Sequence, residues 1–275
     1  MTFNGYNVSV RGTSHIARDM DCQDFSGITC AGNYCAAAVS DGHGGERHFR
    51  SAAGAKAAVD ISLEAVKEFV SNENDFLPNI AGNYKSILRQ LSGCISARWA
   101  DAVLAHFDSN PITDSEKDIF EKYYAAGSAG AETNFTAVYG ATLIIAVITP
   151  SYAFVIQTGD GACAVIPQRG NCFIPEETID ENLFLGYTTS LCDSNSLDNF
   201  RFYYSSEIPK AIILSTDGVV DSYSKEDFLK FNNAVYDLFV QNYDGAFNDL
   251  SDWLPRLSER GSKDDMSVAG IYCVI

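Results

Sequence analysis

The sequence predicts an α+β fold in which antiparallel β-sheets are covered by helices. Apolar stretches of strand length, rich in valine and isoleucine, recur along the chain of 275 residues. Several of them follow one another too closely for the helical crossovers that parallel neighbours require. Two long amphipathic helices stand in succession between the early and the middle strands. This order of elements favours antiparallel sheets over a doubly wound parallel sheet.

The predicted strands are short apolar runs bounded by polar or glycine-rich segments. In chain order they are "YNVSV", "YCAAAV", "ATLIIAVIT", "YAFVIQT", "AIILST" and "MSVAGIYCVI". The stretch "ATLIIAVITPSYAFVIQTGDGACAVI", which begins at Ala141, is typical of an antiparallel meander that turns at "TPS".

Helices are predicted where apolar residues recur at intervals of three and four. This spacing runs through residues 52–70 and again through residues 87–107. A third helix is predicted after Ser224, because Asp227 stands three residues later as in a capping box.

Two segments interrupt the regular pattern. Residues 108–135 contain "DSNPITDSEKD" and the small-residue stretch "AAGSAGAETN", which are typical of an insertion or a loop. Residues 167–205 are also irregular and are predicted to form a flap beside a site. Neither segment carries enough pattern to define a domain, so residues 1–275 are interpreted as a single domain.

The composition excludes several classes of partner. The chain has 19 lysine and arginine residues against 36 aspartate and glutamate residues, which gives a formal net charge of -17. This charge opposes phosphate contacts, so neither nucleic acid nor a membrane is an expected partner. The N-terminal segment lacks the apolar stretch of a signal peptide, and a cytoplasmic location is expected. The 8 cysteines are scattered without zinc spacing and are expected to be reduced core residues.

Aspartates beside predicted strands are the candidate metal ligands. They are Asp41 in "AVSDGHGG", Asp160 in "IQTGDG", Asp217 in "ILSTDGVVD" and Asp264 in "GSKDDMSVAGI". Strand-end carboxylates that a sheet fold brings together form an all-oxygen site suited to Mg2+ or Mn2+. Each motif taken alone is better explained as a hairpin turn, since Asp-Gly is a common turn dipeptide. Their joint occurrence after apolar strands is less readily explained in that way.

The segment "AAAVSDGHGG" combines Asp41 with His43 on a glycine-rich backbone that can turn sharply at the end of a strand. A divalent cation held by such carboxylates would lower the pKa of a bound water from ~15.7 towards ~7. His43 is the candidate general acid beside that site, because the unperturbed pKa of histidine lies near ~6.5. A solvated surface position is the alternative for His43.

Taken in order, the chain contains the motifs "RGTSH", "CQD", "SDGHGG", "GAT", "TGDG", "LSTDGVVD" and "KDDMS". A longer element, "GYTTSLCDSNSLDNFRFY", lies between "TGDG" and "LSTDGVVD". This series resembles the metal-dependent serine/threonine protein phosphatases of the type 2C class, in particular a bacterial branch. The resemblance spans Gly12 to Ser267. It implies a four-layer α-β-β-α sandwich with two central antiparallel β-sheets flanked by helices. It also implies two divalent cations, Mn2+ or Mg2+, in a cleft at one edge.

The resemblance further implies roles for individual residues. Asp41 would bridge both cations, and the Gly42 carbonyl would bind one of them. Asp217 and Asp264 would bind the other cation. Asp160 would complete a third, weaker metal site beside the pair.

Other positions either support the implied site or depart from the family pattern. Asp24 would orient metal-bound water, and Gln23, where family members often carry glutamate, would contact a metal through water. The usual phosphate-binding arginine is replaced by Asp19. Arg18 and Arg11 are the remaining candidates for binding the substrate phosphate, and both are also compatible with a solvated position.

The leading hypothesis is a signalling phosphatase that hydrolyses phosphoserine or phosphothreonine in a protein substrate with a metal-activated water. Asp41 and His43 are its expected catalytic residues, whereas His15 is expected to make a structural hydrogen bond. Two alternatives stay open. A catalytically silent phosphoprotein-binding module is favoured by the replaced arginine, and a phosphatase of small phosphorylated metabolites would use the same site.

Overall fold

The computed structural model describes residues 1–124, 134–180 and 188–274, which form α-helices and β-strands. The strands are β1 (Thr2–Val10), β2 (Asp24–Ala31), β3 (Tyr34–Asp41), β4 (Leu143–Ile148), β5 (Ala153–Thr158), β6 (Ala162–Ile166), β7 (Arg201–Ser205), β8 (Ala211–Ser215) and β9 (Met266–Val274). The helices are α1 (Thr13–Ala17), α2 (Ser51–Ser71), α3 (Ile80–Ser109), α4 (Asp114–Tyr123), α5 (Ser196–Asn199), α6 (Asp217–Val220), α7 (Lys225–Gln241) and α8 (Tyr243–Arg260). Within these described ranges, no helix combines the length and the apolar character needed to cross a bilayer.

The described strands form two antiparallel sheets. One has the order β1-β9-β8-β6 and the other the order β2-β3-β4-β5-β7. In the first sheet Val8 lies opposite Val268, and in the second Val39 lies opposite Ile144. The two sheets lie face to face, because a cluster of buried side chains drawn from both of them fills the space between them.

Helices cover the outer face of each sheet. Val66 of α2 and Ile95 of α3 are buried in one cluster with alternate residues of the five-stranded sheet. Phe228 of α7 and Leu250 of α8 are buried in another cluster with residues of the four-stranded sheet. The result is a four-layer α-β-β-α sandwich, and the fold class predicted from the sequence is confirmed.

The helices predicted from apolar spacing are present. α2 includes residues 52–70, and α3 includes residues 87–107 but begins earlier, at Ile80. α7 begins after Ser224, whose Oγ accepts a hydrogen bond from the Asp227 N–H at 3.2 Å. This N-terminal cap explains why the sequence signal for α7 was clear.

The predicted meander is only half correct. β4 and β5 form the expected hairpin, but β6 leaves that sheet and pairs with β8 in the other one. The change of sheet occurs in the "TGDG" turn, where Gly159 has a φ of 103°. Two strands, β2 and β7, were not predicted. β2 contains serine, glycine and threonine among its apolar residues, which weakens a strand signal.

The irregular segments contain more structure than the sequence indicated. In 108–135, α4 begins with a capping box formed by Thr113 and Glu116, so the expectation of a simple loop is wrong there. In 167–205, β7 is the edge strand of the five-stranded sheet and is not part of a flap. Residues 125–133 and 181–187 of these two segments lie outside the described residues.

One cysteine pair departs from the expectation of reduced thiols. Cys30 and Cys35 lie directly opposite each other in the β2–β3 pair and are joined in a disulfide. The physical reason is the register of the β2–β3 hairpin, which brings the two cysteines together. The spacing of cysteines along the sequence did not indicate this register. The other six cysteines are free thiols, as expected.

Candidate metal centre

The end of β3 carries the first carboxylate of the site. Asp41 lies directly opposite Asp24 in the β2–β3 register. The next residue, Gly42, donates its N–H to the Gln23 carbonyl oxygen at 3.1 Å. A Cβ on Gly42 would lie 2.8 Å from backbone atoms of both Gln23 and Ser51, closer than real Cβ atoms approach. Glycine therefore lets the end of the strand lie against these neighbours and holds Asp41 in the cleft.

Two more carboxylates come from the ends of other strands. Asp160 follows β5 in a bend, and Gly159 before it has a left-handed φ of 103°, which favours glycine. Asp217 is the first residue of the short helix α6, which follows β8. A Cβ on Gly218 would lie 2.0 Å from the Asp265 carbonyl oxygen, so only glycine fits there. The first Asp-Gly motif is thus a bend and the second begins a helix, and each presents an aspartate to the cleft.

One carboxylate oxygen each from Asp41, Asp160 and Asp217 lies within 4.8 Å of the other two. They line a cleft of about 280 Å³. Burial, and then repulsion from Asp24 and other carboxylates, raises the pKa of Asp41 well above its ordinary value. Burial, and then repulsion from Asp160 and Asp264, raises the pKa of Asp217 to about 7. Asp41 and Asp217 are therefore not both fully ionised at neutral pH unless positive charge lies between them.

This set of ligand atoms fits a hard divalent cation. All the converging atoms are carboxylate oxygens, which are the ligands that Mg2+ and Mn2+ prefer. Asp160 Oδ1 is buried and, in the part of the chain that the structure describes, has no hydrogen-bond partner. A buried acceptor without a partner is costly unless a ligand satisfies it. Convergence, raised pKa values and the unpartnered oxygen all indicate a cation site.

The two aspartates of "KDDMS" have different surroundings. Asp264 lines the cleft and its side chain is 51% exposed, but its carboxylate groups with His15 and Asp265 and not with the three converging aspartates. Asp265 is buried and accepts hydrogen bonds from Gly12 N at 2.6 Å, Gln23 N at 2.5 Å and His15 Nδ1 at 2.8 Å. His15 thus makes a structural hydrogen bond, as expected. Sequence reasoning missed Asp265. The available signal was that adjacent residues entering a strand point to opposite sides, so Asp264 and Asp265 could not both face the cleft.

Asp24 lies behind the cleft and not in its lining. It is buried, which raises its pKa well above the ordinary value, and it accepts a hydrogen bond from Thr216 Oγ1 at 2.6 Å. Because Thr216 immediately precedes Asp217, this bond ties Asp24 to the start of α6, which carries a cleft carboxylate. Gln23, in contrast, lines the cleft itself.

His43 lines the cleft and packs edge-on against His48, with the ring centroids 4.9 Å apart. Its backbone N–H donates to the Gly140 carbonyl oxygen at 3.0 Å. Burial, and then the positive charge of Arg47, lowers the pKa of His43 to about 4. The imidazole is therefore almost wholly neutral at pH 7 when no anion is bound beside it, whereas a histidine with the unperturbed pKa near ~6.5 would be partly protonated.

The two candidate arginines differ in their relation to the cleft. Arg18 lines it, and its guanidinium is exposed and donates to the Ser14 carbonyl oxygen at 3.1 Å. Arg11 donates to the Met20 carbonyl oxygen at 3.1 Å and is not part of the cleft lining. Asp19, at the position of the usual arginine, has a left-handed φ of 53°. Of the two, only Arg18 is placed to meet a phosphate in this cleft.

Sequence reasoning also missed two polar residues near Asp160. Thr188 lines the cleft, and its hydroxyl donates to Asp160 Oδ2. Asp221 lies close enough that burial, and then the charges of Asp160 and Asp264, raises its pKa. The signals were present, since Thr188 belongs to the "GYTTSLCD" element and Asp221 ends "TDGVVD". What those motifs did not indicate was which of their side chains faces the cleft.

Solved structures with the same fold are bacterial phosphatases. The Staphylococcus aureus serine/threonine phosphatase Stp1 superposes with a TM-score of 0.59 at 15% identity, covering 99% of this chain and 96% of that chain. The Mycobacterium tuberculosis serine/threonine phosphatase PstP/Ppp superposes with a TM-score of 0.56 at 14% identity, covering 100% of both chains. The PstP catalytic domain in complex with 2 manganese ions gives a TM-score of 0.56 at 14% identity, with 99% of both chains covered. Identities this low show a shared fold.

Sequence comparison supplies the family. No curated protein matches the chain. The family model described as protein phosphatase 2C matches residues 11–255, which is well over half of the 275 residues. The match includes Asp41, Asp160 and Asp217, the residues whose carboxylates converge in the cleft. The chain therefore belongs to the protein phosphatase 2C family of hydrolases.

Proposed function

We propose that this protein is a metal-dependent phosphatase that hydrolyses phosphoserine and phosphothreonine in protein substrates. The observation that carries the proposal is the convergence of one carboxylate oxygen each from Asp41, Asp160 and Asp217 within 4.8 Å of one another in a solvent-accessible cleft. A cluster of carboxylates alone would repel a phosphate, so the same cleft can receive a phosphoryl group only with bound cations. The PstP structure with 2 manganese ions has the same fold.

We assign two divalent cations, Mn2+ or Mg2+, to the carboxylates of this cleft. Asp41 would contact both, with the Gly42 carbonyl on one side and Asp217 and Asp264 on the other. Asp160 would hold a third cation. When bound, the cations would neutralise phosphoryl oxygens and lower the pKa of a water molecule to near neutrality.

The remaining steps fall to side chains of the cleft. Hydrolysis forms a bond between a water oxygen and phosphorus and breaks the bond from phosphorus to the serine or threonine oxygen, which then needs a proton. We assign that proton transfer to His43. A phosphate dianion beside His43 would raise its pKa from about 4, so the imidazole would gain its proton together with the substrate. Arg18, with its exposed guanidinium, is assigned to the substrate phosphate.

The test is hydrolysis of an aryl phosphate and of matched phosphoserine, phosphothreonine and phosphotyrosine peptides with Mn2+, with Mg2+ and with EDTA. We expect turnover of the aryl phosphate and of the first two peptides only with a cation. Asp41→Asn and Asp217→Asn should each lower kcat/KM by ~100-fold or more, the scale on which loss of one strong electrostatic contact slows an enzyme.

Asp237→Asn is the matched control, because Asp237 is an exposed aspartate on α7 far from the cleft lining. Its activity should equal that of the parent protein. Full activity in EDTA or in Asp41→Asn would contradict the proposal. Tight binding of phosphopeptides with no turnover at saturating Mn2+ would instead support a silent binding module, and hydrolysis of small metabolites alone would support a metabolite phosphatase.

A further inference from the structure

A second cavity lies directly beside the carboxylate cleft. It has a volume of about 490 Å³, and Asp160 lines both the cavity and the cleft. Most of its lining surface is apolar, with contributions from Ile174, Ile179, Val220 and Phe228, and polar groups such as Asp221 and Lys225 also line it. A cavity of this size and composition is typical of ligand sites in proteins. None of the residues assigned above to catalysis, other than Asp160, lines it.

Hydrogen bonds hold one wall of this cavity in place. Arg201, at the start of β7, donates through Nε to the Thr178 carbonyl oxygen at 2.9 Å and through an η nitrogen to Asp180 Oδ2 at 2.7 Å. It also donates to the carbonyl oxygen of Gly159, next to Asp160. Thr178 Oγ1 donates to the Pro175 carbonyl oxygen at 2.8 Å. The wall and the turn that carries Asp160 are therefore fixed by the same arginine, and the cavity is preformed.

The cavity also presents an unused hydrogen-bond acceptor. Gln157 lines it and is only 2% exposed. Its Nε2 donates to the Gly161 carbonyl oxygen at 2.7 Å, but its Oε1 has no partner among the described residues. A buried amide oxygen without a donor is costly, so a bound molecule with an N–H group at this point would stabilise the complex. A peptide backbone carries such N–H groups.

The rim indicates the kind of side chain that would enter. Ile179 is 44% exposed at the cavity, although it is a large apolar residue. The carboxylates of Asp160 and Asp221 line the cavity together with the ammonium group of Lys225, and the net negative charge of these three groups disfavours an acidic side chain. An extended peptide advances ~3.3 Å per residue, and a chain leaving the cleft past Asp160 would reach this cavity within a few residues.

We propose that the cavity binds an apolar side chain of the substrate within three residues of the phosphorylated residue, with Ile174 and Ile179 as its specificity-determining contacts. The proposal rests on the phosphoprotein phosphatase function proposed above. The occupant is a peptide segment and not a separate small molecule, because Asp160 lines both the cavity and the cleft and Gln157 Oε1, unpartnered within the described ranges, can accept from a backbone N–H. The Gln157 amide oxygen is its hydrogen-bond acceptor for the peptide.

The test compares phosphothreonine peptides that carry leucine or serine at each position within three residues of the phosphorylated residue. Serine is the alternative because it changes no charge. With Mn2+ present, we expect leucine at one or more positions to raise kcat/KM by ~10-fold or more, since a single methylene group in an apolar pocket contributes at least about that factor. Ile179→Ser and the double variant Ile174→Ser with Ile179→Ser should reduce this ratio to below about twofold.

Val240→Ser is the matched control, since Val240 is 46% exposed on α7 and does not line the cavity. It should keep the leucine preference of the parent protein. Thermal unfolding of each variant shows whether it is folded. If the double variant does not fold, Ile179→Ser alone tests the proposal, because Ile179 is an exposed position. The leucine preference is the ratio of two kcat/KM values measured on one variant, so a general loss of activity in that variant does not change it.

The outcomes separate this inference from the proposed function. No turnover of the aryl phosphate by the parent protein with Mn2+ overturns both. Turnover of the aryl phosphate with equal kcat/KM for leucine and serine peptides overturns the cavity assignment alone. A leucine preference that survives in Ile179→Ser and in the folded double variant also overturns it, since the apolar contact would then lie elsewhere.

Discussion

Replacing Gly42 with alanine tests how closely the end of β3 packs at the cleft. The added Cβ would lie 2.8 Å from three backbone atoms, which are the Gln23 carbonyl oxygen and the carbonyl carbon and oxygen of Ser51. Backbone cannot rotate away as a flexible side chain can, so β3 or the start of α2 must move. Overpacking of this kind lowers the free energy of unfolding by about 1–3 kcal/mol. For a protein of this size that corresponds to a fall in Tm of roughly 3–10 °C.

The activity should fall more steeply than the stability. Gly42 follows Asp41, so movement of the strand end displaces a cleft carboxylate. A displacement of ~1 Å at a reacting centre costs about 100-fold in rate. We therefore expect kcat/KM for an aryl phosphate at saturating Mn2+ to fall by about that factor in Gly42→Ala. The two measurements are thermal unfolding and steady-state hydrolysis on the same preparations.

Gly44→Ala is the matched control, because it makes the same change in the same turn. Its added Cβ would meet only the Gln23 Oε1 atom, at 3.7 Å, which is an ordinary contact. We expect its Tm to stay the same or to rise slightly, since alanine restricts the unfolded chain more than glycine does. If Gly42→Ala and Gly44→Ala have the same Tm and the same kcat/KM, the reasoning about the crowded strand end is refuted.

Three further predictions concern charges at and near the site. In EDTA, Asp265→Ala should lower the free energy of unfolding by roughly 3 kcal/mol, because Gly12 N, Gln23 N and His15 Nδ1 lose a buried acceptor. Asp264→Ala, at a half-exposed side chain, should cost less than about 1 kcal/mol, and equal losses in urea denaturation would contradict this contrast. Hydrogen bonds from Arg50 lower the pKa of Glu116 to about 2, so this group stabilises the protein above its unfolded pKa near 4.5 and loses that contribution as the pH falls towards about 2. With the Glu116 side chain 20% exposed, we expect the advantage of the parent protein over Glu116→Gln to shrink by about 1–2 kcal/mol between pH 5 and pH 3, and a constant difference would exclude this linkage. Burial raises the pKa of Asp217 to about 7, so the metal-free protein loses stability as the pH rises from its unfolded value of 3.8 through about 7. Asp217→Asn should therefore raise the Tm in EDTA at pH 7 and reduce the increase in Tm that Mn2+ produces. A lower Tm of Asp217→Asn in EDTA would show that the ionised Asp217 carboxylate does not destabilise the metal-free protein.

The sequence by itself determined the elements whose signals are local. The spacing of apolar residues predicted α2, α3 and α7, because side chains three and four positions apart share one face of a helix wherever that helix packs. The small residues of "YCAAAVSD" predicted β3 with Asp41 at its end. The order of the motifs along the chain also predicted the four-layer architecture, since a family resemblance carries the tertiary arrangement with it.

The tertiary structure decided everything that depends on distances between remote parts of the chain. It sent β6 to the second sheet, and it separated buried Asp265 from half-exposed Asp264 although the two are neighbours in sequence. It also brought Arg18 into the cleft while Arg11 stayed outside. Each of these outcomes is set by which backbone lies opposite a residue, and no local pattern carries that information.

For the same reason, the sequence predicted the carboxylate cleft but not the apolar cavity beside it. The aspartates of the carboxylate cleft each stand in a short Asp-Gly or Asp-Asp motif, so they were visible one by one before the fold brought them together. The apolar cavity shares Asp160, Val220 and Asp221 with those motifs, but Ile174, Ile179 and Phe228, which give it its apolar wall, stand in no motif. Arg201 on β7 holds the 174–180 segment against the Asp160 bend at the end of β5, because β5 and β7 pair side by side.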